Sequence, residues 1–166
     1  MLPSNLKTVC LLLLAITPWA LAQPNGDPIR ISADEATRSE REGLTRYIGN
    51  VVLVQGHITI SADTLEIRQT GAEQTHIIAT GSPATFVQPK LGDDPAIDAK
   101  ANIIRYEQIA RKVILEQDAR IQRGESIISG PVIEYFIDEK RVQAGQETQG
   151  PKTRVEVVIP SSDGSR

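Results

Sequence analysis

The chain has 166 residues, of which 18 are Lys or Arg and 21 are Asp or Glu, so its formal net charge is −3. No run of basic residues is longer than Arg111-Lys112 or Lys140-Arg141, and this distribution argues against nucleic acid as a partner. The single cysteine, Cys10, lies in the amino-terminal apolar run, so the chain cannot form an internal disulfide.

The first residues have the pattern of a signal peptide. Lys7 precedes an apolar run over residues 9–16, and residues 19–22 place small side chains where a signal peptidase reads them. We therefore expect residues 1–22 to be removed on export. The alternative is a retained membrane anchor, but crossing the hydrocarbon core takes about 20 apolar residues, and this run is shorter and is followed by Pro18.

From Pro28 onward, apolar residues alternate with polar ones, for example over residues 29–33 and 57–62. A period of two is typical of half-buried strands, and the intervening segments are rich in Gly, Pro and Asp, which favour turns. The pattern predicts one antiparallel all-β domain over residues 28–160, followed by a disordered tail, 161–166. The polar run 38–43 predicts a hairpin tip or an edge strand.

A short repeat runs through this domain. Ile31-Ser32-Ala33-Asp34 recurs as Ile60-Ser61-Ala62-Asp63, and weaker echoes follow at Ile97-Asp98-Ala99-Lys100 and Ile128-Ser129-Gly130. A repeat of about 30 residues indicates similar units stacked around a shared interior.

The residues that could carry catalysis are few. His57 and His76 are the only histidines, and neither has a second ligand at a metal-binding spacing. Asp34 and Asp63 hold equivalent repeat positions, which favours a structural role in capping a turn over a catalytic pair. We therefore predict no catalytic site, no metal site and no cofactor. The remaining acidic pairs are interpreted as solvated turns: Asp93 with Asp94, and Glu40 with Glu42.

Alternation places one set of apolar side chains on a common inner face. That face can be an ordinary packed core or a long apolar trough, and the aromatic content of only 4% suits a trough as well as a plugged interior. The trough interpretation predicts an interior that its own side chains leave vacant. The residues predicted to face inward are Ile29, Ile31, Ile58, Ile60, Leu65, Ile67, Ala84, Phe86, Ile104, Tyr106, Ile133 and Tyr135.

Three segments together resemble a known family: residues 28–34, residues 47–63 with their Gly-Asn-Val strand and Ile-Ser-Ala-Asp, and residues 81–86. The order is similar to that of the LptA (OstA-like) family of periplasmic lipopolysaccharide transport proteins of Gram-negative bacteria. The resemblance implies a twisted antiparallel β-jellyroll of stacked hairpins with an open apolar groove for the acyl chains of lipid A. It also implies self-association head to tail and bridging between an LptC-like inner-membrane partner and an LptD-like outer-membrane partner.

The resemblance also implies which residues contact lipid. Ile29, Ile31, Phe86 and Tyr106 match groove positions, and Ile58 and Ile60 join them by repeat equivalence. Ile104 and Tyr135 belong to the same inward rows. One departure from the family pattern is Pro131, which cannot donate to a strand ladder and puts the local register in doubt. Residues 29–34 and 155–159 are the candidate edges for assembly.

Three other functions fit the same residues. The first is a periplasmic scaffold that has the same repeats but no lipid cargo. The second is a cell-wall hydrolase, which would need two carboxylates such as Asp34 and Asp63 in one cleft. The third is an LptC-like relative that keeps its amino-terminal anchor.

Overall fold

The structure, a computed structural model, describes residues 27–70, 74–145 and 154–159. The predicted signal peptide, 1–22, and the predicted tail, 161–166, lie outside these residues. In the described residues no helix is long and apolar enough to cross a membrane. The chain there is all-β, as predicted, with strands β1 Arg30–Ser32, β2 Glu35–Ser39, β3 Leu44–Gln55, β4 Ile58–Thr70, β5 Gln74–Gln88, β6 Ile97–Glu107, β7 Lys112–Arg123, β8 Ser126–Phe136, β9 Arg141–Ala144 and β10 Glu156–Val158.

These strands form one antiparallel sheet in which β3 to β8 pair in chain order. At one end β1 and β2 both pair with β3, and at the other β9 and β10 both pair with β8. The two ends do not pair with each other within the described residues, so the sheet is unclosed. The polar run 38–43 completes β2 and forms the β2–β3 turn, which confirms its assignment as an edge strand and hairpin tip.

Each long strand bends at one common line across the sheet. The register shifts between residues 48 and 51 of β3, 61 and 64 of β4, 80 and 84 of β5, 100 and 103 of β6, and 116 and 119 of β7. Such interruptions let strands bend sharply. Each long strand therefore contributes to two facing arms. The β1 arm contains β1, β10 and residues 51–61, 84–101 and 119–130; the β2 arm contains β2, β9 and residues 44–48, 64–70, 74–80, 103–116 and 132–136.

The sequence repeat marks this corner. Asp34, Asp63, Asn102 and Pro131 all occupy the position where the ladder is interrupted. By this criterion residues 99–102 are equivalent to residues 60–63, so the sequence echo at 97–100 is displaced by two residues from the structural repeat. Pro131 costs no ladder bond at this position, and the flanking register is unambiguous, with Val132 opposite Glu116 and Gly130 opposite Ala119.

Asp34 has the structural role predicted for it. Its carboxylate accepts a hydrogen bond from Nδ2 of Asn50 at 2.8 Å, and its backbone N–H donates to the carbonyl of Gly49 at 2.9 Å. Asn50 and Gly49 have φ values of 46° and 80°, a conformation that glycine and asparagine adopt most readily. A Cβ on Gly49 would collide with the Asp34 carboxylate, so glycine is required for this close approach.

The core lies between the two arms. Both arms turn their apolar faces inward, and side chains such as Leu53, Leu65, Ile104 and Leu115 have no exposed surface. All of the residues predicted to face inward belong to this core or pack against it, which confirms the alternation argument.

Candidate functional site

The structure brings the predicted lipid-contacting residues together in one interior between the arms. Ile58, Ile60, Phe86, Ile104, Tyr106 and Tyr135 are buried in the core between the arms. Ile29 and Ile31 are partly buried and pack against the same core at the β1 edge. These eight side chains form a continuous apolar interior that runs across the sheet from β1 to β8.

The interior is filled along most of its described length. Phe86 and Tyr106 are fully buried, and the rings of Phe86 and Tyr135, from opposite arms, meet edge to face at a centroid distance of 6.1 Å. Side chains with no accessible surface leave no water-sized space beside them. The expectation of a vacant interior is therefore wrong over this length, because alternation fixes which side chains face inward but not how closely the arms approach.

A row of inward positions at the free edge of the β1 arm is largely polar. We call it the lip row: Gln55, Ile58, Gln88, Ile97, Arg123 and Ser126 stand next to one another across β3 to β8. Ile58 and Ile97 are buried, so the row points toward the interior. Three strands running in the same direction, β3, β5 and β7, thus end on an inward polar residue: Gln55, Gln88 and Arg123.

Each of these three residues bonds to the opposite arm. The hydroxyl of Tyr106 donates to Oε1 of Gln55 at 2.9 Å, and that of Tyr135 donates to Oε1 of Gln88 at 3.3 Å. Arg123 donates through Nη1 to the carbonyl of Lys140 at 3.1 Å. We call this line of contacts the seam, and it holds the free edges of the arms together in the absence of a closed ladder.

The hydrogen bond between Tyr106 and Gln55 is the most buried of the three. Gln55 is only 5% exposed, and its Nε2 also donates to the carbonyl of Asp27 at 3.0 Å, so both ends of the amide are satisfied. Burial raises the pKa of Tyr106, and it raises the pKa of Tyr135 as well. Both phenols therefore remain protonated donors at neutral pH.

An ion pair lies on the solvent side of the seam. Nζ of Lys140, in the β8–β9 turn, contacts the two carboxylate oxygens of Asp94 at 2.6 and 2.7 Å, and Asp94 lies in the β5–β6 connection of the opposite arm. About half of the Lys140 side chain is exposed. Exposed pairs of this kind contribute about 0–1 kcal/mol, so this pair adds little to the stability of the contact between the arms.

A cavity opens between the arms at the carboxyl-terminal end of the seam. It has a volume of about 360 Å³, which lies in the range of small-ligand pockets, about 300–1,000 Å³. Inward apolar side chains from both arms line it together with two polar residues of the lip row. Its lining residues are Pro95, Ile121, Arg123, Ser126, Ile128 and Val142.

A larger cavity, about 870 Å³, lies at the corner and is lined largely by outward residues such as Lys100, Arg105 and Arg120. It is separate from the interior between the arms. Among the described residues no group of three or more His, Cys, Asp or Glu is arranged to hold a metal ion.

Sequence reasoning missed Gln55, Gln88 and Arg123. The signal was present, because each lies two positions beyond an inward apolar residue, namely Leu53, Phe86 and Ile121, and period two therefore points it inward. From the sequence alone, a polar residue at such a position is interpreted as a solvated strand end, because its bonding partner lies on the opposite arm.

Comparison with known proteins places the chain in a family. A family description, LptA/(LptD N-terminal domain) LPS transport protein, matches residues 30–141. The lipopolysaccharide export system protein LptA of Escherichia coli K12 is 31% identical over 153 residues, covering 91% of this chain and 81% of that protein. LptH of Pseudomonas aeruginosa is 28% identical over 147 residues, covering 84% of each chain.

The solved structures agree with these matches. The crystal structure of LptH, described as the LptA-homologous periplasmic component of the lipopolysaccharide transport device of Pseudomonas aeruginosa, superposes with a TM-score of 0.73 at 26% identity, covering 81% of this chain and 96% of that one. A shorter segment of 46 residues is 46% identical to the LPS-assembly protein LptD of Photobacterium profundum, where it covers 28% of this chain and 6% of that protein. The chain therefore belongs to the family of LptA and LptD amino-terminal-domain lipopolysaccharide transport proteins.

Proposed function

We propose that this chain is a periplasmic carrier that shields the acyl chains of lipopolysaccharide on their way between the inner and outer membranes. The observation that supports this most strongly is the apolar interior between two arms joined by the seam instead of a strand ladder. A closed barrel would have to break backbone pairing to admit a lipid from the side. The seam consists of hydrogen bonds donated by side chains, one of them to a backbone carbonyl, so opening it breaks no strand pairing.

The physical need for such shielding is large. At about 0.8 kcal/mol per methylene, an acyl chain of roughly a dozen carbons costs on the order of 10 kcal/mol to expose to water. The bulky polar headgroup cannot enter an apolar interior without a comparable penalty. A groove that opens along one side lets the acyl chains lie inside while the headgroup stays in solvent.

Because the interior is filled, lipid binding requires a change in the position of the arms. Because the inward side chains leave almost no space between the arms, acyl chains enter only if the arms move apart and the seam contacts open. The residues proposed to contact lipid are then those of the inner face: Ile29, Ile31, Ile58, Ile60, Phe86, Ile104, Tyr106 and Tyr135.

We further propose assembly into a bridge. The strands β1 and β10 are the terminal edges of the sheet, and Val157, Val158 and Ile159 are about half exposed or more at one of them. An unpaired edge strand is a template for another strand, and joining one end to the other end of a second copy gives an open filament. LptC-like and LptD-like proteins are the proposed partners at the two ends of the bridge.

We also propose that the chain acts without catalysis. Asp34 and Asp63 lie at the corner line, and Asp34 is engaged by Asn50. A hydrolase would lose activity on replacement of both carboxylates by Asn. The carrier proposal predicts that D34N and D63N leave lipid binding intact, with any loss confined to stability.

Photo-crosslinking tests the carrier proposal. A benzophenone amino acid at Phe86 points into the interior, whereas the same group at Val87, which is 37% exposed, points outward from the next residue of the same strand. Exposure to lipopolysaccharide and light should give a lipid adduct at position 86 and little or none at 87. A scaffold without cargo would give no adduct at 86, and equal labelling at both positions would indicate surface adsorption.

A further inference from the structure

Arg123 differs from its two equivalents in the lip row. Gln55 and Gln88 each accept a hydrogen bond from a tyrosine hydroxyl, whereas Arg123 contributes a cation and donates only to the carbonyl of Lys140. In the described part of the chain no carboxylate lies within ion-pair distance of its guanidinium. A half-buried cation with donors to spare is poised to bind an anion.

The surroundings of Arg123 are amphipathic. It lines the cavity of about 360 Å³ together with Ser126, and the rest of the lining is apolar: Pro95, Ile121, Ile128 and Val142. The polar members of the lining belong to the lip row at the edge of the β1 arm. An apolar floor with a cationic edge is complementary to a molecule that joins an acyl chain to an anionic group.

A second cation lies beside it. The carbonyl of Lys140 is bonded by Arg123, and the ammonium of Lys140 is held by Asp94. The other carboxylates of the β8–β9 turn are engaged elsewhere, since Asp138 pairs with Arg111 and Glu139 with Arg141. Asp94 is therefore the carboxylate that holds the Lys140 ammonium, and its displacement would release Lys140 toward an incoming anion.

We propose that this cavity is the binding site for the anionic headgroup end of the cargo, with a phosphate of lipopolysaccharide held by Arg123 and Lys140 in place of Asp94 and the adjoining acyl chain inserted among Ile121, Ile128 and Val142. The proposal rests on the proposed carrier function. It adds a binding site, at a defined position along the seam, for the negative charge of the lipid. It also makes the Asp94–Lys140 pair a competitor of the ligand instead of a structural support.

Calorimetric titration of the purified mature chain with three ligands tests this proposal: lipopolysaccharide, enzymatically dephosphorylated lipopolysaccharide, and phosphatidylglycerol vesicles. R123Q should weaken binding of the phosphorylated form roughly tenfold, as expected for loss of a charge-assisted contact, and leave the dephosphorylated form unchanged. R123K should retain most of the affinity. D94N should bind the phosphorylated form more tightly, because it removes the competing carboxylate.

The matched control is R120Q, which removes the same charge from an exposed residue of the same strand, three positions away. Equal losses in R120Q and R123Q, or weaker binding in D94N, would overturn the proposal. An Arg123-dependent affinity for phosphatidylglycerol equal to that for lipopolysaccharide would overturn its commitment to lipopolysaccharide. If the unaltered chain bound no lipopolysaccharide, the carrier function itself would fail, whereas binding that ignores Arg123 would sink only this inference.

Discussion

The hydroxyl of Tyr106 lies 2.9 Å from Oε1 of Gln55, and this hydrogen bond joins the two arms across a fully buried interface. The two residues are 51 positions apart in the chain. Gln55 lies on β3 and Tyr106 on β6, and these strands are not paired, so the bond forms only because the sheet bends at its corner. It is the best-buried of the three contacts that make up the seam.

Replacing Tyr106 by Phe should lower the free energy of unfolding by about 1–3 kcal/mol, because the Gln55 carbonyl is left buried without a donor. Urea denaturation measures this change. The matched control is Y47F, at a tyrosine that is only partly buried, for which a change within about 0.5 kcal/mol is expected. Equal effects at the two sites would show that the Tyr106 hydroxyl contributes nothing specific.

The seam tyrosines predict a stability that falls in alkali. Burial raises the pKa of Tyr106 and of Tyr135 above the ordinary value of 10.0 in the folded state. The contribution of these phenols is thus complete below the unfolded pKa of about 10, and it is lost as the pH rises through their folded pKa. Urea unfolding from pH 8 to 11 should show a decline only above about pH 10, and a Y106F/Y135F double variant should show a shallower one. An equally steep decline in the double variant would exclude these residues as its source.

The close approach of Gly49 to Asp34 predicts an unusually costly glycine substitution. G49A should lower stability by more than the roughly 1–2 kcal/mol that a left-handed backbone costs an L-residue, because its Cβ would also collide with the Asp34 carboxylate. G92A is the matched control, since Gly92 has a φ of 59° but no atom within 4 Å of an added Cβ. Thermal unfolding compares them, and D34A in the G49A background should recover the difference. Equal costs at both glycines would contradict the contact.

The exposed β10 edge predicts concentration-dependent self-association. Sedimentation velocity of the mature chain should show species that grow with concentration, and V157D should suppress them because a buried unpaired charge at the joint is costly. I109D makes the same change at an apolar residue that is 71% exposed on the β6–β7 turn, and it should have no effect. If both variants associate as the unaltered chain does, β10 is not the joint.

The amino-terminal segment predicts a defined mature mass. Intact mass spectrometry of the exported protein should give a chain that begins at Gln23, because the small residues before it suit a signal peptidase. A retained segment 1–22 would instead favour the anchored, LptC-like alternative.

Period-two alternation was sufficient to predict the strands and the inward set, because a strand with one buried face must alternate. It also placed Asp34 and Asp63 at equivalent positions, and both lie where the ladder is interrupted. It could not reveal the partners of Gln55, Gln88 and Arg123, because those lie on the other arm and meet them only after the sheet bends. It likewise misjudged the vacancy of the interior, because the separation of the arms depends on how Phe86 and Tyr135 interlock and not on which way they point.

Acyl chains are proposed to bind between the arms after the seam opens, and covalent locking of the seam tests this proposal. Carbodiimide treatment converts a carboxylate and an amine in contact into an amide, and Asp94 and Lys140, at 2.6 Å, are placed for this reaction across the two arms. Binding of dephosphorylated lipopolysaccharide, for which the Lys140 ammonium is not a proposed ligand, is then measured for the treated protein and for treated D94N, which lacks the Asp94 carboxylate and so cannot form this amide. We predict that the locked protein loses binding and that treated D94N keeps it, whereas full binding by the locked protein would contradict entry of acyl chains between separated arms.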